Sequence, residues 1–186
     1  MKERTARSVA ELGEAVRVRA WGEAAGPRPV SAEDRVRAEE ERLFLCFRVA
    51  EERYLLDVRA VKEVTRVQRL TPVPRSPEGI VGVIDLRGTF IPVVDVRQRL
   101  GGGGATVDPR CSRIVVVVLG GRVAGLLVDA LQPVVRFPIS QIQPPPPLAL
   151  SEGSDFIAGL CSRAGEAYLV IAPERLLALP AKRPAA

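Results

Sequence analysis

Few residues of this chain are equipped for covalent chemistry. It contains no histidine, which removes the usual general base, the usual zinc ligand and any phosphohistidine route. Ser140, Ser151 and Ser162 therefore have no imidazole to activate them as nucleophiles. The run Gly101–Gly104 is not followed by Gly-Lys-Ser/Thr. It lacks the lysine and hydroxyl that a phosphate loop needs, and reads as a flexible loop tip. Cys46, Cys111 and Cys161 are odd in number, far apart and in no CxxC pair. That spacing predicts neither a disulfide framework nor a zinc site, so each cysteine reads as a small apolar residue in a reducing compartment. The expectation is a protein that is not an enzyme and has no cofactor and no metal.

Recognition chemistry is concentrated between Pro72 and Arg97. Strand residues alternate faces, which places Ile80, Gly82, Ile84 and Leu86 on one side and Val81, Val83, Asp85 and Arg87 on the other. Asp85 and Arg87 can then pair, or jointly meet a partner. Gly82 removes a side chain in mid-strand, so another backbone can approach closely. Gly88 supplies a turn, and Pro92, with no N–H to donate, marks an edge or a bulge. Taken alone, this is a hairpin with an arginine at its turn.

Charge raises a rival reading. The net charge is +5 and the pI about 9.6, which suits a nucleic-acid-binding barrel. However, residues 1–42 carry nine basic and nine acidic side chains, so the excess lies in residues 43–186. There it is dispersed as single arginines, and arginine outnumbers lysine 24 to 3. Arginine favours two-pronged carboxylate recognition over loose phosphate attraction. Aromatic residues make up only 4%, too few for a protein that stacks bases on rings. The partner is expected to be an acidic protein surface and not a nucleic acid. The longest aliphatic run, Ile114 to Leu119, has six residues, far short of the roughly 20 that span a bilayer. The N-terminus has no apolar stretch of signal-peptide length. Both point to a cytoplasmic protein without membrane insertion.

The elements that must hold these residues are strands. Hydrophobic residues make up 47% and cluster as short Val, Leu and Ile runs. About ten strands are predicted. They include Leu43–Val49, Tyr54–Val58, Val67–Leu70, Gly79–Leu86, Phe90–Val96, Ile114–Leu119, Arg122–Val128, Val134–Phe137, Phe156–Cys161 and Ala167–Ile171. Ala60–Val64 reads as a brief helical turn. Pro72 and Pro74 prevent a central strand and force an extended crossing. Pro144–Pro147 is a rigid connector, and Pro173 starts a terminal helix whose apolar face is Leu176, Leu177 and Leu179. Turns every eight to twelve residues, with no long helix between strands, predict an all-β chain of two small barrels packed side by side. Their lobes are placed at about 43–105 and 110–172. Residues 1–42 form an N-terminal extension, helical (Val9, Leu12 and Val16 share a face) or disordered, and residues 180–186 a flexible tail.

The order of the motifs resembles the CheW-like domain family of bacterial chemotaxis coupling proteins. The matching pieces are Tyr54-Leu-Leu-Asp-Val58, Val61-Lys-Glu-Val64, Pro72-Val-Pro74 with Pro77, Gly82-Val-Ile-Asp-Leu-Arg-Gly88 and Ile91-Pro-Val-Val-Asp-Val-Arg97. Ile114–Val118, Gly125-Leu-Leu-Val-Asp129 and Phe156-Ile-Ala-Gly159 follow in the second half, and the resemblance covers about 43–179. It implies two five-stranded, SH3-like barrels with short helices and an apolar core between them. It also implies a non-catalytic adaptor that links chemoreceptor coiled-coil tips to the regulatory domain of a CheA-type histidine kinase. The same domain also serves systems other than swimming, such as twitching or development. By position, the resemblance implies a receptor-facing surface at Glu63, Gly82 and Arg87, with Arg87 as charged anchor. It implies a kinase-facing apolar contact at Leu45, Val58 and Val61. The related kinase itself and relatives fused to a receiver domain do not fit 186 histidine-free residues. Two departures stand out. Asp85 replaces the family's Asn and is placed to pair with Arg87, and Ala172 replaces an Asp before the terminal helix, which removes a cap.

Overall fold

The computed structural model describes residues 40–104, 107–146 and 155–178. The possible helix around Val9–Val16, Leu179 and the tail 180–186 lie outside the described residues. Eleven strands run through the described chain: β1 (Glu41–Val49), β2 (Glu52–Asp57), β3 (Val61–Arg66), β4 (Ile80–Leu86), β5 (Thr89–Asp95), β6 (Arg113–Leu119), β7 (Arg122–Val128), β8 (Ala130–Leu131), β9 (Val135–Pro138), β10 (Ile157–Arg163) and β11 (Glu166–Ile171). Two one-turn helices, α1 (Val96–Arg99) and α2 (Pro173–Leu176), follow β5 and β11.

The strands form two sheets. One has the order β3-β6-β7-β5-β4, and the other β10-β11-β2-β1-β8, with β9 also paired to β1. Because β8 and β9 share one flank of β1, each sheet has five strand positions. Each curls into a small SH3-like barrel, called here barrel B (β3–β7) and barrel A (β1, β2, β8–β11). In both, one pairing is parallel: Val94 lies opposite Leu126 in barrel B, and Val170 opposite Leu55 in barrel A.

Alternation along the strands sorts the apolar residues into three layers. Phe44, Cys46, Leu55, Phe137, Cys161, Tyr168 and Val170 fill barrel A. Ile84, Ile91, Val93, Ile114, Val116 and Leu127 fill barrel B. Between the barrels lies the largest layer, in which Leu45, Phe47 and Val49 from β1 meet Val115 and Val117 from β6. Central strands are thus buried on both faces, which is why β1 and β6 read as near-continuous apolar runs.

Several expectations need correction. The lobes do not divide the chain at about residue 105. Barrel B is contiguous, whereas barrel A takes β1–β2 from one end of the described chain and β8–β11 from the other. The parallel β11–β2 pairing makes this possible, because an early hairpin completes a barrel whose other strands come late. The module also starts before residue 43, since Glu41 and Arg42 pair with Pro138 and Phe137. The helical turn falls at Val58–Ala60, where Asp57 accepts from the Arg59 N–H at 2.9 Å, and Val61–Val64 belongs to β3. Val67–Leu70 is not a strand, because the next residue, Thr71, turns onto β4 and bridges Val83.

The alternation expected for β4 also breaks. A bulge at Val81 shifts the register between Ile80 and Gly82, and an extra residue reverses which face follows. Val81 therefore packs with Ile84 and Leu86 inside barrel B. Ile80 packs into the layer between barrels.

Candidate functional site

Hairpin β4–β5 is built to project. Leu86 lies opposite Thr89, so its loop is two residues long. Arg87 and Gly88 both have positive φ, 54° and 83°, the turn type whose twist matches a hairpin. Asp85 fixes this turn by accepting a hydrogen bond from the Gly88 N–H at 2.7 Å. Asp85 thus does not pair with Arg87 as its place on the strand suggested. The left-handed backbone at Arg87 carries its side chain away from the strand face, toward β3. There the Arg87 Nη2 donates to Glu63 Oε2 at 3.1 Å. The Arg87 side chain stays 82% exposed, while the Glu63 side chain is 25% exposed. An ion pair this open contributes little to stability and leaves most of the Arg87 side chain in solvent.

Gly82 has a different place. A Cβ there would sit 2.6 Å from the Thr71 carbonyl oxygen, and Gly82 has φ +150°. The close approach read from sequence is real, and the approaching backbone is the chain's own. Thr71 and Val83 exchange two 2.9 Å hydrogen bonds, which pin the Pro72–Pro74 crossing to the edge of β4. Gly82 is buried, so the structure brings Glu63 and Arg87 together and sets Gly82 beneath the crossing.

The apolar trio is also brought together. Leu45 belongs to the layer between barrels, and Val58 and Val61 pack against that layer at its margin. Asp57, just before Val58, is held below the usual carboxylate range, chiefly by its side-chain hydrogen bonds from Arg59. Burial pushes the Cys46 and Cys161 thiols up to about 11. They behave as apolar residues, whereas Cys111 lies exposed in a turn.

Three features escaped the sequence reading. Phe90 is 70% exposed and lies opposite Asp85 on the outer face of the hairpin. Counting outward from the buried Ile91 would have found it. Leu43 is 45% exposed and shares the face of Leu45 two residues on, extending the apolar trio. Arg97 and Asp129, which close two of the matching motifs, form a half-buried ion pair.

Ser140 is exposed, and among the described residues no group of three or more Cys, Asp or Glu is placed to hold a metal ion. No helix of the described residues is long and apolar enough to cross a membrane.

Comparison with known proteins places this arrangement. The family model described as CheW-like domain matches residues 43–181. Protein FrzA of Myxococcus xanthus is 38% identical over 128 residues, covering 69% of this chain and 79% of that protein. The chemotaxis protein CheW of Rhizobium meliloti is 32% identical over 131 residues, covering 70% and 83%. Among solved structures, the scaffolding protein TtCheW from Thermoanaerobacter tengcongensis superposes with a TM-score of 0.69 at 34% identity, over 76% of this chain and 95% of that one.

Proposed function

The chain belongs to the CheW-like domain family of chemotaxis scaffolds, and from that membership we propose that it is a non-catalytic adaptor coupling chemoreceptor coiled-coil tips to a CheA-type histidine kinase. The receptor docks on the tip of hairpin β4–β5. Arg87 reaches an acidic residue of the receptor helix, Glu63 holds the guanidinium in place, and Phe90 supplies an apolar anchor. This combination of an aromatic and an arginine suits a small binding hot spot. The regulatory domain of the kinase docks on the margin of the layer between barrels, at Leu45, Val58 and Val61, with Leu43 at its edge. An apolar centre with a polar rim fits such a contact.

One observation supports the reading most. The Arg87 side chain is 82% exposed and held at one end only, on the same hairpin as a phenylalanine that is 70% exposed. Neither side chain is buried in a barrel core, and both suit a partner. The protein is placed in the cytoplasm, with neither nucleic acid nor membrane as partner. The test is purification of the tagged full chain from its native cell, followed by identification of what comes with it. A histidine kinase together with a receptor is expected. Recovery of nucleic acid, or of neither protein, would overturn the reading, and the identity of the receptor decides which sensory pathway is served.

A further inference from the structure

The chain passes from barrel B to barrel A at one residue, Asp129, between β7 and β8. That residue is tied on three sides. Its N–H donates to the Arg48 carbonyl at 3.1 Å. Its Oδ2 accepts from the Ala50 N–H at 2.7 Å, in the β1–β2 turn of barrel A. The same Oδ2 accepts from Arg97 Nη2 of α1, at the foot of hairpin β4–β5 in barrel B. The Asp129 side chain is 14% exposed and that of Arg97 30%, so water screens the pair less than an ion pair on the surface.

The surroundings enforce this contact. Ala50 has φ +53°, a left-handed conformation that costs a non-glycine residue about 1 kcal/mol or more. The corresponding turn of barrel B, Gly120-Gly121, needs no such support. A carboxylate on the Ala50 N–H is the charge-assisted bond that offsets this cost. On the other side, the Gly102 N–H donates to the Arg97 carbonyl, and a Cβ at position 102 would lie 3.0 Å from Arg97 Cγ. The glycine run after α1 thus leaves room for the Arg97 stem. Arg99, on the same helix, donates to the Leu176 carbonyl of α2 at 3.2 Å. Helix α1 therefore grips barrel A twice.

We propose that the Arg97–Asp129 pair is an inter-barrel lock that fixes the angle between the hairpin tip and the apolar margin, so that the adaptor transmits receptor state to the kinase as well as binding both. The part about transmission rests on the function proposed above; the mechanical part does not. Arg97 and Asp129 are positioning residues, acting through the barrels and touching neither partner.

The test uses the full chain with Cys111→Ser, and spin labels on cysteines placed at the exposed Arg122 of barrel B and Ala164 of barrel A. Arg97→Met breaks the lock while leaving the Ala50 turn its acceptor, so that this variant folds even if Asp129→Asn does not. The expected result is one narrow inter-label distance in the parent and a broader distribution in Arg97→Met, with a lower urea midpoint but a single cooperative unfolding step retained. In reconstituted complexes with the kinase and receptor fragment from the same genome, each binary affinity should stay within about threefold. Receptor control of kinase activity should fall by about tenfold. An unchanged distance distribution would overturn the lock. Binary affinities that fall in step with receptor control would overturn its role in transmission. A parent protein that binds neither partner would refute the adaptor reading, while the distances would still decide the mechanical claim.

Discussion

Hairpins β4–β5 and β10–β11 share one backbone plan and differ in the side chains hung on it. Both carry a bulge before a buried glycine, between Ile80 and Gly82 in one and Ile157 and Gly159 in the other. In both, a crossing segment bridges the residue after that glycine, Thr71 to Val83 and Gln143 to Leu160. Both turn through a residue and a glycine of positive φ, Arg87-Gly88 and Ala164-Gly165. Both lead into a one-turn helix. The side chains then diverge: Arg87 corresponds to Ala164, Phe90 to Ala167, Asp95 to Ala172 and Arg97 to Glu174. The shared features belong to the barrel. In particular, the left-handed backbone of Arg87 is no sign of a functional site, since Ala164 has it too. What distinguishes hairpin β4–β5 is the pair of side chains it pushes into solvent.

The comparison can be broken most forcefully at the glycines. A Cβ at Gly82 meets backbone at 2.6 Å and must also adopt φ +150°. At Gly159 it meets the Ile142 Cγ2 at 2.5 Å, with the Gln143 oxygen at 3.0 Å. A half-buried side chain yields more easily than backbone. Gly82→Ala should cost about 3 kcal/mol in urea unfolding, and Gly159→Ala about 1–2 kcal/mol. The reverse order would show that the two crossings are not held alike.

The helix caps offer a gentler test. Asp95 accepts from the Gln98 N–H at 3.2 Å, whereas Ala172 offers α2 no side-chain cap. Ala172→Asp should therefore stabilise the chain by about 1 kcal/mol. No change in the urea midpoint would mean that Pro173 already sets the helix.

The barrel interiors differ as well, since barrel A holds two thiols where barrel B is aliphatic. Burial raises Cys46 and Cys161 from the ordinary 9.0 to about 11. In the unfolded chain they ionise first, so their contribution to stability is intact below pH 9 and lost as pH rises toward 11. The melting temperature should fall across that interval and fall less in a Cys46→Val, Cys161→Val variant. In the native protein only Cys111 should react quickly with a thiol reagent. The smallest effect is expected from removing residues 1–39, which should change the unfolding free energy measured in urea by less than about 0.5 kcal/mol.

Much of this hairpin plan could be read from sequence. Gly120-Gly121 announced β6–β7, and Arg87-Gly88 announced β4–β5. Gly82 reads as a close approach because a missing side chain in mid-strand has few other uses. Three things escaped, each because it depends on tertiary contact. The bulge at Val81 leaves no mark on composition, so strand alternation alone puts Ile80 and Val81 on the wrong faces. The interleaving of the barrels depends on the β11–β2 pairing, between residues more than a hundred positions apart. Asp85 and Arg87 looked like a pair because strand geometry put them on one face, but a turn with positive φ sent them to different partners. The family resemblance supplied Glu63, Leu45, Val58 and Val61, which no spacing rule would have singled out.

Binding of the receptor cytoplasmic fragment to Arg87→Ala, with binding of the kinase regulatory domain to the same variant as internal control, tests the central claim most directly. The account predicts a loss of at least about tenfold for the receptor, kinase affinity within about threefold of the parent, and an unchanged melting temperature. Receptor binding at the parental level, or equal loss for both partners, would contradict it.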